Sequence, residues 1–128
     1  MTAADEGGRH LPHAAPIDAY GNGGFRFADM SHRGSLLCLP DGIWAWPVQR
    51  PEEIDLQALE LVFAKASELD TLLIGTGREM APFPTVLRQA LRDASVVVEA
   101  MQTGPAIRVY NIMIGEGRRV AAGLIAVP

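Results

Sequence analysis

Apolar and polar positions alternate with short periods over the first fifty residues. Residues 17–20 read as a short strand, and Gly24-Phe25-Arg26-Phe27 alternates strictly, as a half-buried strand does. Between them, Gly21-Asn22-Gly23-Gly24 is a turn signal, because glycine and asparagine accept positive φ at low cost. Residues 35–39 form a short apolar strand, and residues 43–46 form another. Pro40-Asp41-Gly42 separates them, which predicts a hairpin. The period then changes. Leu56, Leu59, Val62, Phe63, Ala66 and Leu69 recur at helical spacing, so residues 55–69 are predicted to be a helix with Asp55 as its cap. Leu72-Leu73-Ile74 predicts a strand over 71–75, buried on both faces. Val86, Leu87, Ala90 and Leu91 predict a helix over 84–94, with Pro84 in its first turn. Val96-Val97-Val98 predicts a second buried strand over 96–101. Ala106, Ile107, Tyr110, Asn111 and Ile114 predict a helix over 104–115, capped by Thr103, although the β-branched content of the same stretch would allow a strand; residues 119–127 close the chain as a strand.

Helix and strand thus alternate at βαβ spacing after a β-rich N-terminal part. That pattern predicts an α/β fold: a three-layer α/β domain with a central mixed sheet. The strands at 71–75 and 96–101 are expected to be adjacent, parallel and central. The division is a flexible tail over residues 1–15 and a single α/β domain over 16–128.

Composition narrows the functional classes. Apolar residues make up 48% of the 128 and charged residues 20%, which suits a chain that buries one core and excludes a disordered one. The net charge is −4, so no global field draws the chain to phosphate backbones, and no nucleic-acid partner is expected. Of eleven cations only Lys65 is a lysine, which points to a GC-rich coding sequence. The single cysteine, Cys38, sits in Leu36-Leu37-Cys38-Leu39 and reads as a buried small hydrophobe rather than a reactive thiol. No stretch approaches a spanning helix and residues 1–16 lack a signal-peptide pattern. The expectation is a cytoplasmic protein without membrane insertion, monomer or homodimer.

Candidate chemistry is sparse. Gly75-Thr76-Gly77 follows a strand, and Glu99 lies 22 residues beyond Gly77, which mimics a dinucleotide fingerprint. Met80 occupies the place of the third glycine, and Pro82 and Pro84 delay the helix whose N-terminus would face a pyrophosphate. No cofactor is therefore expected. The turn of Gly75, Thr76, Gly77 and Arg78 still lies where ligands sit in open α/β sheets, and Arg78 suits a carboxylate or phosphate. It is a possible anion or ligand turn. His10, His13 and His32 lack metal-ligand spacing, so no metal is expected. Ser31-His32 lies in no nucleophile elbow, Glu52-Glu53 suits a helix start, and no catalytic residue is assigned. Phe25 and Phe27, like Trp44 and Trp46, are spaced by two and share a strand face. Core packing is the ordinary reading; an exposed pair would mark a partner site. Arg118-Arg119 reads as a helix-end charge cluster, with a partner contact as the alternative.

Several of these pieces together resemble one family. They are the run Pro16 to Phe27, His32-Arg33-Gly34-Ser35, the strand and turn Leu36 to Trp46, and Gly75-Thr76-Gly77. Thr103-Gly104 with Arg108-Val109-Tyr110-Asn111, and Glu116 to Ala122, complete the set. In this order, over roughly residues 16–128, they resemble a domain-of-unknown-function family. It includes the mitochondrial respiratory complex I assembly factor 3 and small bacterial and archaeal relatives. The resemblance implies a small three-layer domain with a central mixed sheet and supports a helix over 104–115. It implies no family-wide enzymatic activity, so no catalytic residues carry over. Its mitochondrial members resemble chaperone-like assembly proteins acting at a membrane-protein complex. The leading expectation is a non-catalytic domain that binds an unknown protein partner, at Trp44, Trp46, Arg118 or Arg119, and aids assembly of a membrane or respiratory complex. The alternative is a small-molecule or anion-binding protein, or a weak enzyme, using Gly75–Arg78.

Overall fold

The computed structural model describes residues 9–128. Nine strands run β1 Arg9–Leu11, β2 Ala19–Gly21, β3 Gly24–Phe27, β4 Met30–Arg33, β5 Ser35–Leu39, β6 Gly42–Trp46, β7 Thr71–Gly75, β8 Val97–Met101 and β9 Val120–Leu124. Three α-helices are interspersed: α1 Glu60–Ala64, α2 Thr85–Asp93 and α3 Thr103–Gly115. Six strands form one mixed sheet in the order β1-β6-β5-β9-β7-β8, and β2-β3-β4 form a separate antiparallel sheet. Within the large sheet β8, β7 and β9 are parallel, and β5 joins β9 antiparallel.

Side chains of alternate parity divide the core in two. One face sends Leu37, Leu39, Trp44, Trp46, Leu72, Ile74 and Val98 toward α1 and α2. The other sends Leu36, Cys38, Ile43, Leu73 and Ala122 toward Ile107 and Tyr110 of α3 and toward Phe25 and Phe27 of the small sheet. The expected three layers and mixed central sheet are therefore present, with the β-rich N-terminal part supplying half of one outer layer.

The small sheet follows from its turns. Asn22 and Gly23, at φ 52° and 79°, link β2 to β3 in a two-residue hairpin with Gly21 opposite Gly24. Positive φ at both central positions matches the right-handed twist of the flanking strands, and Asn-Gly is the pair that adopts it most cheaply. The segment leading into β2 is tied to α3: Asn111 exchanges hydrogen bonds with the backbone N–H and C=O of Ile17, each at 2.9 Å.

Four expectations are corrected. The tail was expected to run through residue 15. Residues 1–8 lie outside the described residues, but Arg9–Leu11 pairs with β6 and Ala15 is buried, because β6 would otherwise expose an open edge over Trp44. The first expected strand, residues 17–20, is shifted to Ala19–Gly21, with Ile17 held by Asn111 instead. The helix over 55–69 is only α1, flanked by turns and a 3-10 turn at Ala66–Glu68. Asp55 Oδ1 accepts the Ala58 N–H at 2.8 Å, and the Ala58 carbonyl accepts the Trp46 indole N–H at 2.9 Å instead of continuing a helix. Finally, β8 is adjacent and parallel to β7 but lies at the sheet edge, with Val97 62% exposed. Three consecutive valines suggested burial on both faces, yet only Val96 and Val98 are buried, since α2 covers one face of β8 alone.

Candidate functional site

Trp44 and Trp46 lie two apart on β6, so both rings enter the face covered by α1. The expected core packing holds: they are 5% and 4% exposed. Trp46 lies flat against β9 at Gly123, where a Cβ would meet its ring at 2.6 Å, so glycine there is required by close approach. The Arg9 guanidinium stands 5.4 Å from the Trp44 ring centroid, a cation–π distance.

The Trp46–Ala58 bond ties the chain between β6 and α1 to the indole, and a concavity of about 530 Å³ lies beside the two tryptophans. Leu37, Val48 and Leu61 add apolar walls, and Glu53, Asp55 and Glu60 stand on the rim. The Gln49 N–H, donating to Glu53 Oε1 at 2.8 Å, holds the Glu53 carboxyl below the usual carboxylate range, with help from Arg50 at 3.5 Å. Asp55 and Glu60 form no ion pair among the described residues. The residues lining the concavity include three carboxylates and no cation. An apolar wall under an acidic rim favours a group with a positive charge on an apolar stem, as lysine and arginine carry.

Elsewhere the sequence candidates lie apart. The Gly75–Arg78 turn sits at the C-terminal end of β7, and its backbone is occupied from within. The Thr76 N–H donates to the Met101 carbonyl at 2.7 Å, and the Gly77 N–H to Thr103 Oγ1 at 2.9 Å. Thr76 is buried, its hydroxyl donating to the Glu79 carbonyl at 2.6 Å, while Arg78 is exposed. Thr103, expected as the cap of α3, is instead its first residue after Gln102, and its hydroxyl donates to the Ile125 carbonyl at 2.7 Å. Arg118 and Arg119 flank the opposite end of β9. Arg119 makes a two-point pair with Asp70, the shorter bond 2.8 Å, and Arg118 lies 3.6 Å from Glu116.

Three further titratable side chains are held within the fold. Burial pushes the Cys38 thiol up to about 12, far from a thiolate at neutral pH. Burial raises Tyr110 as well, its hydroxyl donating to the Ala15 carbonyl at 3.3 Å. His10 Nε2 and His32 Nδ1 lie 2.9 Å apart, and His32 Nε2 is 3.2 Å from the Ser35 carbonyl. Burial first, and His10 second, hold His32 below the ordinary imidazole value. No cluster of three metal-ligating side chains occurs among the described residues.

Comparison with known proteins places this geometry in a wider set. A family model described as protein of unknown function (DUF498/DUF598) matches residues 17–125. The solved structure of the Rpa2829 protein from Rhodopseudomonas palustris is 61% identical with a TM-score of 0.83, covering 93% of this chain and 88% of that one. A structure called an outer membrane protein from Bartonella henselae is 45% identical with a TM-score of 0.89, covering 93% and 100%. The mouse protein named NADH dehydrogenase [ubiquinone] 1 alpha subcomplex assembly factor 3 is 27% identical over 92% of this chain, which spans 64% of that relative's length.

Proposed function

The chain belongs to the DUF498/DUF598 family of proteins of unknown function, and from that premise we propose that it is a partner-binding domain with an assembly-factor-like role at a membrane or respiratory complex. Likeness to the mouse assembly factor supports the class of role. The observation that carries the binding reading is the acid-rimmed concavity beside Trp44 and Trp46. Its chemistry fits a partner segment in which lysine or arginine alternates with apolar residues. The cation meets Asp55 and Glu60, and its stem lies on Leu61 and Val48. Complementary charge of this kind steers encounter and fixes register, while the apolar wall supplies contact area. No helix among the described residues is long and apolar enough to cross a membrane.

The test uses tryptophan fluorescence of the full chain with two peptides of equal length, one alternating leucine with lysine and one alternating leucine with glutamate. The lysine peptide is expected to bind and to weaken with added salt. The triple variant Glu53→Gln, Asp55→Asn, Glu60→Gln should lose it, with its fold intact because all three side chains are exposed. Equal binding of both peptides, or undiminished binding by the variant, would refute the reading. For the assembly role, membranes from the native cell are captured with wild type and with the triple variant. Proteins retained by the first and lost by the second should be subunits of one membrane complex.

A further inference from the structure

The small sheet carries a feature that the acid-rimmed concavity does not explain. Its register places Ala19, Arg26 and Ser31 opposite one another, and Gly21, Gly24 and Arg33 likewise. By the two-residue period these six share one face, while Tyr20, Phe25 and His32 take the other. Phe25 is buried, whereas Arg26, Ser31 and Arg33 are exposed. The outward face is therefore two arginines standing over a floor of glycine, alanine and serine.

That floor is obligatory at its centre. A Cβ on Gly24 would meet the His32 carbonyl oxygen at 2.4 Å, so no side chain fits there. The result is a concavity of about 440 Å³ lined by all six positions, with Asn22 at the turn and Tyr20, Phe25 and His32 completing the strands that form it. No carboxylate lines it. Arg26 and Arg33 form no ion pair among the described residues. The Arg33 guanidinium lies across the hairpin turn, its Nη1 3.8 Å from where a Gly23 Cβ would stand. Arg26 and Arg33 are diagonal neighbours on adjacent strands, roughly 7–8 Å apart at the backbone, within reach of one common ligand. In a chain of net charge −4, two unpaired like charges held over a bare floor are a local inversion of the field.

We propose that this face is a binding site for a small organic phosphate monoester. Two planar guanidiniums present two forks, and a phosphoryl group has enough oxygens to accept both bidentately, whereas a carboxylate satisfies only one. The phosphoryl charge of about −2 near neutral pH matches the two arginines. The Ser31 hydroxyl is placed to add a further hydrogen bond. The volume exceeds what inorganic phosphate fills and falls in the range of small-molecule sites, leaving room for an organic group over the glycine and alanine floor.

Backbone amide shifts of the full chain are recorded by NMR against inorganic phosphate and glycerol 1-phosphate, and against phosphatidic acid vesicles as a lipid-borne monoester. Shifts are expected over residues 19–26 and 31–33 with both soluble probes, and binding of glycerol phosphate should be the tighter. Arg26→Gln and Arg33→Gln should each weaken it by roughly tenfold, the loss of about one bidentate charged pair. Both side chains are exposed, so unchanged melting temperatures confirm that the variants fold. Absence of shifts in these segments, or binding undiminished in the double variant, overturns the proposal. Inorganic phosphate binding as tightly as the ester overturns the organic part, and response to vesicles alone overturns a soluble ligand.

Discussion

Thr103→Val is the most incisive single perturbation of this fold. The side chain is 0% exposed and its hydroxyl joins three segments. It accepts the Gly77 N–H at 2.9 Å and donates to the Ile125 carbonyl at 2.7 Å, so the turn after β7, the start of α3 and the end of β9 meet on one oxygen. Valine keeps the shape and removes the oxygen, stranding a buried donor and a buried acceptor. Each costs about 1–3 kcal/mol, so the variant should lose about 2–6 kcal/mol. Against a typical margin of about 5–15 kcal/mol that is a large fraction. With a urea slope of about 1–3 kcal/mol/M, the midpoint should fall by roughly 1–3 M at unchanged slope. Thr103→Ser keeps both bonds and loses one methyl, and should cost only about 1 kcal/mol. Hydrogen exchange supplies a local reading: the Gly77 amide should lose protection in the valine variant and keep it in the serine one. A valine variant within about 0.5 kcal/mol of wild type would refute the reasoning, since that is the size of an ordinary surface substitution.

Two further outcomes follow from the fold. Val97→Asp, at an exposed edge position, should change stability by no more than about 0.5 kcal/mol, whereas Val98→Asp buries a carboxylate against α2 and should cost about 3 kcal/mol or more, read by the same urea titration. His32 is held below the ordinary imidazole value in the folded chain, so the neutral form is favoured there. Its contribution is present above the unfolded value of about 6.5 and declines as pH falls through the lower folded one. Melting temperature should therefore drop on acidification from about pH 6.5 down to that lower folded value, and His32→Gln should flatten the drop; an identical profile in the variant counts against the linkage.

Much of the fold was legible because periodicity reports burial. β7, α2 and α3 appear within a residue or two of the positions their apolar spacing predicts, and Asn22-Gly23 announced its hairpin by turn chemistry alone. The failures share a cause. The helix over 55–69 starts late where one indole takes the Ala58 carbonyl, a contact between residues 12 apart in sequence that no local pattern reports, and it gives way to a 3-10 turn at Ala66–Glu68. Three valines in a row conceal which of them faces a helix, since composition has no period to read. The acidic rim was missed because Glu53, Asp55 and Glu60 scatter over turn and helix and converge only around the concavity. For Arg26 the signal was present: strict alternation with Phe25 and Phe27 buried forces it outward. What alternation does not reveal is that Arg33 arrives beside it through the next hairpin.

The position of β9 has a kinetic consequence. It lies between β5 and β7, so the half of the large sheet built from residues 9–46 is hydrogen-bonded into one sheet with the half built from residues 71–101 through this strand. It is also the latest of the nine strands in chain order. During synthesis β5 and β7 each wait with an unpaired apolar edge until residues 120–124 leave the ribosome, and pairing then closes loops of more than eighty residues on one side and about fifty on the other. Such closures raise the folding barrier and lengthen the lifetime of sticky, half-built chains. The chain thus passes through a stage at which the apolar edges of β5 and β7 are both made and neither is paired with β9.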